Sequence, residues 1–170
     1  MKQYTTERLY VRLVETGDAP FFLALYNSPH FIEHVGDRGL KTVDDARLYI
    51  EEKFLPHINE HGFGNYTIFQ KDTQKPIGAV GIFKREGIET PDIGFSFLPE
   101  YEGKGFGYES ASELINIAFQ YFDLKKLAAF TTDDNILSQK LIEKLGLQYQ
   151  ETTILPGFTE NLRYYTLEKK

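Results

Sequence analysis

The chain has 170 residues, 41% hydrophobic and 26% charged, with no cysteine and a formal net charge of −6. This composition fits a single soluble domain over residues 1–170 that buries roughly 70% of its unfolded surface. It excludes disulfides, thiolate metal sites and a cysteine nucleophile, lacks an apolar run of membrane-spanning length, and opposes broad nucleic-acid binding, which needs a basic footprint.

Met1 to Arg8 lacks the apolar core of a signal peptide, so a cytoplasmic location is expected. From residue 6 to 15, Arg8, Tyr10 and Arg12 alternate with Leu9, Val11 and Leu13, the pattern of a half-buried strand. Thr16-Gly17-Asp18 caps a helix that runs to about Asn27, with Pro20 in its first turn and Ser28-Pro29 as its stop. Residues 30–42 read as an irregular link. Thr42 then opens a second helix with acids in its first turn; Pro56 kinks or ends it, and Gly62 and Gly64 mark the exit. Asn65 to Gln70, Ile77 to Lys84 and Asp92 to Leu98 are three strands joined by short polar turns, an antiparallel meander.

Gly103, Gly105 and Gly107 alternate with bulkier residues between the third of these strands and a strongly periodic helix. A loop with little Cβ bulk at a helix start exposes backbone N–H groups that lack helical partners, and the helix dipole adds partial positive charge. Such a loop can cradle a phosphate, or it can be a turn that uses glycine for its backbone angles. Ala111, Leu114, Ile115, Ala118, Phe119 and Phe122 then form one apolar stripe at helical spacing. Leu127 to Thr132 is a buried strand, parallel to the strand before the loop through a right-handed crossover. Asn135 starts a short helix that Gly146 stops, and strands near Gln148 to Leu155 and Leu162 to Glu168 flank a Pro156-Gly157 turn. The expected class is α/β (α+β): a mixed, mostly antiparallel twisted sheet with one parallel junction, flanked by about four helices. Ligands in such sheets favour the carboxyl ends of the strands at the junction, where the glycine loop lies.

These features in this order resemble the GCN5-related N-acetyltransferase superfamily, and within it the ribosomal-protein-alanine N-acetyltransferase-like branch. The resemblance rests on Thr6 to Arg12, Pro76-Ile77-Gly78, Ile93-Gly94-Phe95, Gly103 to Glu109, Asn135, Ser138 and Glu143 to Leu147. It implies acetyl transfer from acetyl-CoA to a primary amine, a protein N-terminus or a small molecule, by direct attack in a ternary complex. It also implies that the amides of Gly103, Lys104, Gly105, Phe106, Gly107 and Tyr108 bind the CoA diphosphate. The pantetheine arm would pair with the strand near Phe97 and Leu98 and touch Asn135. Glu102 departs from the family, which usually has glutamine, arginine or tryptophan there; like charges turn its carboxylate away from phosphate and leave backbone contacts to carry binding.

By the same resemblance Ser138 is the candidate general acid, although the third position of an asparagine-capped helix also suits a plain serine. Glu160 is a candidate base or a solvated loop residue, Glu109 reads as a first-turn helix acid, and a water chain would also serve as base. His30 to His34 and His57 to His61 both match H-x-x-E-H, a zinc-peptidase pattern that needs a firm helix. Their proline and glycine neighbours argue against one, so no metal is expected and these histidines read as exposed or as bordering the acceptor. A dinucleotide fold has slight support from Asp123, 20 residues after Gly103, but Tyr108 replaces the third glycine and no βαβ repeat precedes the loop. The other reading is a non-catalytic acyl-CoA-binding sensor, whose cradle would look identical. No nucleic-acid or membrane partner is expected; a homodimer is the assembly to test.

Overall fold

The computed structural model describes residues 1–170. Its eight strands form one sheet in the order β1-β2-β3-β4-β5-β6-β8-β7. The meander is β2 (Leu9–Leu13), β3 (Asn65–Gln70), β4 (Pro76–Phe83) and β5 (Asp92–Phe97), all antiparallel neighbours. β6 (Lys126–Thr131) pairs parallel with β5, and β8 (Leu162–Glu168) carries β7 (Gln148–Thr153) at the far edge. The opening strand β1 (Gln3–Thr5) was not anticipated, because three residues are too few to show alternation.

Alternation holds where it was read: Leu9 and Val11 are buried, and Arg12 keeps a partly exposed side chain. A 3-10 turn, Thr16–Asp18, leads into α1 (Ala19–Tyr26). Asp18 is buried because it accepts bonds from Arg12 (2.7 and 2.8 Å) and from Thr67 (2.7 Å), which ties the helix start to β2 and β3.

The supposed link at 30–42 contains a helix, α2 (Pro29–His34). The proline that ends α1 has the backbone angle a first helical position wants, so it also starts the next helix. Phe31 anchors α2 by stacking on Tyr26 with ring centroids 4.2 Å apart. Pro56 does not end its helix either. Between α3 (Val43–Tyr49) and α4 (Leu55–His61) lies a π turn, Ile50–Phe54, and the Leu55 amide donates to Ile50. The widened turn makes room for a proline ring and its missing N–H. With α5 (Phe106–Gln120) and α6 (Ile136–Lys144) there are six helical segments; α2 and the division of the second helix exceed the four expected.

Ala111, Leu114, Ile115 and Ala118 of α5 are buried in a core that includes Tyr66, Val80 and Leu127, with Phe119 and Phe122 at its margin. A second core joins α1, the Thr42-capped helix and Ala79. Ala79 and Val80 are adjacent on β4 and belong to different cores, so the cores lie on opposite faces of the sheet. No helix is long and apolar enough to cross a membrane.

The feature that positions a site is the parallel junction. β5 and β6 are joined through one residue pair, Asp92 with Ala128, and are unpaired beyond it. Pairing alternates in direction along β5: the Leu98 amide donates to Ile77 on the β4 side (3.0 Å), and Pro91 accepts from Ala128 on the other (2.8 Å). By that alternation the backbone groups of Phe95 and Phe97 face the unpaired edge.

Candidate active site

The glycine loop begins where β5 ends. After the 3-10 turn Pro99–Tyr101, Gly103 (φ +70°) and Gly105 (φ +84°) adopt left-handed angles that a side chain would strain. The Glu102 amide donates to Pro99, and the Glu109 amide is the next to find a chain partner, Gly105. The amides of residues 103–108 therefore point outward without backbone partners at the head of a four-turn helix. Gly107 serves a different purpose. It lies inside α5, and a Cβ there would stand 2.7 Å from Cδ2 of Leu141, so its bareness lets α5 and α6 touch.

Arg8 holds the loop from beneath. Its Nη1 donates to the Lys104 carbonyl (3.0 Å), its Nε to Glu109 (2.7 Å), and its guanidinium sits 4.3 Å from the centre of the Phe106 ring. Glu109 also accepts from the Thr6 hydroxyl (2.6 Å) and the Arg8 amide (2.8 Å). Burial alone would raise the Glu109 pKa, but these donors outweigh it and hold the carboxyl below its ordinary value. Glu109 is thus a first-turn acid, as expected, and also a clamp, which the sequence did not reveal.

Two cavities meet in the gap between β5 and β6. One, about 350 Å³, is walled by Gly103, Gly105, Phe106, Gly107 and Tyr108 from the loop, with Phe97, Asn135 and Ser138. Lys140 and Lys144 of α6 also line it. Sequence reasoning missed both, though their spacing of four places them on one helical face. Leu98 and Lys104 do not line this wall: the Leu98 amide donates to Ile77, while the Lys104 carbonyl accepts from Arg8 and its amide stays in the unpartnered run of 103–108. Glu102 is in it, tied to His30 Nδ1 at 2.7 Å. The other cavity, about 360 Å³, is bounded by Tyr26, Tyr49, Phe83 and Phe158, with Arg38, Lys53 and Glu160. Glu160 borders this cavity alone; His34, Ser96, Asn135 and Ser138 border both. Asn135 caps α6 by accepting the Ser138 amide (3.2 Å), which fixes both residues at the junction.

The two H-x-x-E-H stretches both lie on helices, contrary to the expectation from their flanking prolines, with ring centroids 4.6 Å apart in each pair. In the second, Nδ1 of His57 bonds the Phe63 carbonyl (3.0 Å) and Nε2 accepts the Lys84 amide (2.9 Å). Only a neutral ring can do both, and burial followed by the neighbouring His61 lowers the His57 pKa accordingly. Its two nitrogens are thus committed to the backbone. Beneath the second cavity, Asp92 is buried and bonded by Arg85 at 2.7 and 3.1 Å. Burial raises its pKa, and the Arg85 pair opposes that only in part.

A family profile described as an acetyltransferase (GNAT) domain matches residues 8–148. Over 144 residues the chain is 24% identical to the uncharacterized N-acetyltransferase YoaA of Bacillus subtilis (strain 168), covering 84% of this chain and 81% of that protein. It is similar to the structure of ribosomal-protein-S5-alanine acetyltransferase from Vibrio fischeri, with a TM-score of 0.78 at 19% identity over 98% of this chain and 96% of that one. Spermidine N-acetyltransferase from Vibrio cholerae, in complex with CoA and spermine, gives a TM-score of 0.77 at 17% identity over 95% of each chain.

Proposed function

Because the chain belongs to the GNAT acetyltransferase family, we propose that it moves the acetyl group of acetyl-CoA onto a primary amine by direct attack within a ternary complex. The observation that carries this reading is the run of unpartnered amides at residues 103–108, at the mouth of a cavity whose opposite wall is an unpaired strand edge. A diphosphate fits the amides, and a thin arm with its own amides fits the edge at Phe95 and Phe97. CoA accompanies the Vibrio cholerae spermidine enzyme on the same fold, which supports the choice of donor.

The arm would run past Asn135 and bring the thioester to Ser138, where the two cavities join. The acceptor would enter from the 360 Å³ cavity. In that geometry the amine lone pair attacks the thioester carbonyl, the carbon–sulfur bond breaks, and the Ser138 hydroxyl passes a proton from nitrogen to the leaving sulfur. Protein N-termini, free amino acids, polyamines and antibiotic amines are the acceptor classes to screen. Release of CoA thiol with at least one of them supports the reading. Tight acetyl-CoA binding without release from any class would identify a sensor instead.

A further inference from the structure

His34 occupies a position that no other ionisable residue shares. It borders both cavities, whereas Glu160, the base candidate from the family resemblance, is exposed and borders only one. The His34 side chain is only 13% exposed. Four groups face it. Across the cleft, from the β6–α6 connection, Oδ1 of Asp134 is 3.6 Å from Nδ1 and the Thr132 hydroxyl is 3.5 Å away. On its own helix, Glu33 stands 3.8 Å from Nε2, and the His30 ring lies edge-on with centroids 4.6 Å apart. His30 is in turn bonded to Glu102, so α2 is tethered to the glycine loop at one end and meets the Asn135 turn at the other.

We propose that His34 is the general base of the reaction and that Asp134 is its positioning residue. The inference rests on the acetyltransferase reading above. An acceptor amine reaches the cleft as an ammonium ion. Its first proton passes to the His34 imidazole, which becomes imidazolium and later returns that proton to solvent. The freed lone pair forms the nitrogen–carbon bond, the carbon–sulfur pair leaves with sulfur, and the second nitrogen proton travels through Ser138 to the thiolate. The net products are an amide, CoA thiol and one proton. Asp134, exposed at the rim and 3.6 Å from Nδ1, aims the ring across the cleft.

The test is the pH dependence of kcat/KM for the acceptor in the full-length protein and in His34→Gln and Asp134→Asn, alongside calorimetric acetyl-CoA binding. The wild-type profile should carry an inflection from the ionisation of the base. His34→Gln should lose that inflection and fall about 10²- to 10⁴-fold near pH 7, recovering as high pH deprotonates the amine itself. Its affinity for acetyl-CoA should stay within about threefold, half a decade. Asp134→Asn, a change at an exposed position, should displace that inflection and lower kcat/KM while leaving acetyl-CoA affinity in place. A proton NMR titration of His34 in the wild type should give the same midpoint as the rate profile. An unchanged profile in His34→Gln, or an NMR midpoint far from the kinetic one, overturns the assignment. A wild type that releases no thiol with any amine overturns the acetyltransferase reading itself, a distinguishable failure.

Discussion

Gly107→Ala adds one methyl group where α5 crosses α6. The new Cβ would lie 2.7 Å from Cδ2 of Leu141, well inside the 3.4–4 Å of ordinary contact. Cδ2 is the far end of a half-buried side chain that borders the cavity, so turning it aside relieves the overlap for about 0.5–1.5 kcal/mol. The better helix former returns about 0.5–1 kcal/mol, so the variant should lie within about 1 kcal/mol of wild type. In a Leu141→Ala background the obstacle is gone and only the propensity gain remains, so the same substitution should stabilise. The coupling from a double-mutant cycle should therefore be about 0.5–1.5 kcal/mol, read from urea unfolding followed by far-ultraviolet circular dichroism. Acetyl-CoA affinity should follow the same pattern, because α6 carries Asn135 and Ser138 into the cavity. Additive effects within about 0.5 kcal/mol would show that Gly107 is not there for helix contact.

Glu109→Gln should loosen the loop and raise the KM for acetyl-CoA more than it lowers kcat. Since the folded pKa of Glu109 is depressed, its contribution to stability is present above the ordinary glutamate value, near 4.3, and lost as pH falls through the lower folded value. The stability gap to Glu109→Gln should close in acid, and a pH-independent gap would contradict the clamp. Arg85→Ala should destabilise by about 3 kcal/mol, the low end for breaking a buried pair, because Arg85 is itself 38% exposed. Asp92 has a raised folded pKa, so its ionised form opposes folding, and the loss in Arg85→Ala should shrink as pH falls in urea titrations. Growth of that loss in acid would refute the sign. Ser138→Ala should reduce turnover more than acetyl-CoA affinity in paired kinetic and calorimetric measurements; equal turnover would remove Ser138 as the proton carrier.

What could be read from the chain was local and periodic. The α5 stripe, the three-strand meander and the Asn135 cap all announce themselves within a dozen residues, and each stands where expected. Features shorter than two periods were missed: β1 has three residues and α2 six. Proline misled twice, since Pro29 starts a helix as readily as it stops one and a π turn can absorb Pro56. In the site, the amide run followed from glycine spacing, but the Arg8–Glu109 clamp joins residues 101 apart and has no local signature. The Leu98 amide likewise turns to Ile77, because the direction of a backbone group depends on which neighbouring element claims it. His34 looked like half of a zinc motif and acquired its present meaning only when the fold set it beside Asp134 and Ser138.

Every functional statement depends on the loop at residues 103–108 holding the diphosphate of acetyl-CoA. Calorimetric titration of acetyl-CoA into wild type and Gly105→Glu compares them directly. The substitution places a carboxylate in the cradle at a residue with φ +84°, where strain of about 1–2 kcal/mol leaves most of a typical domain's stability intact. The account predicts saturable binding to the wild type and none to the variant, with matching circular dichroism spectra. Equal affinity in two folded proteins would contradict it.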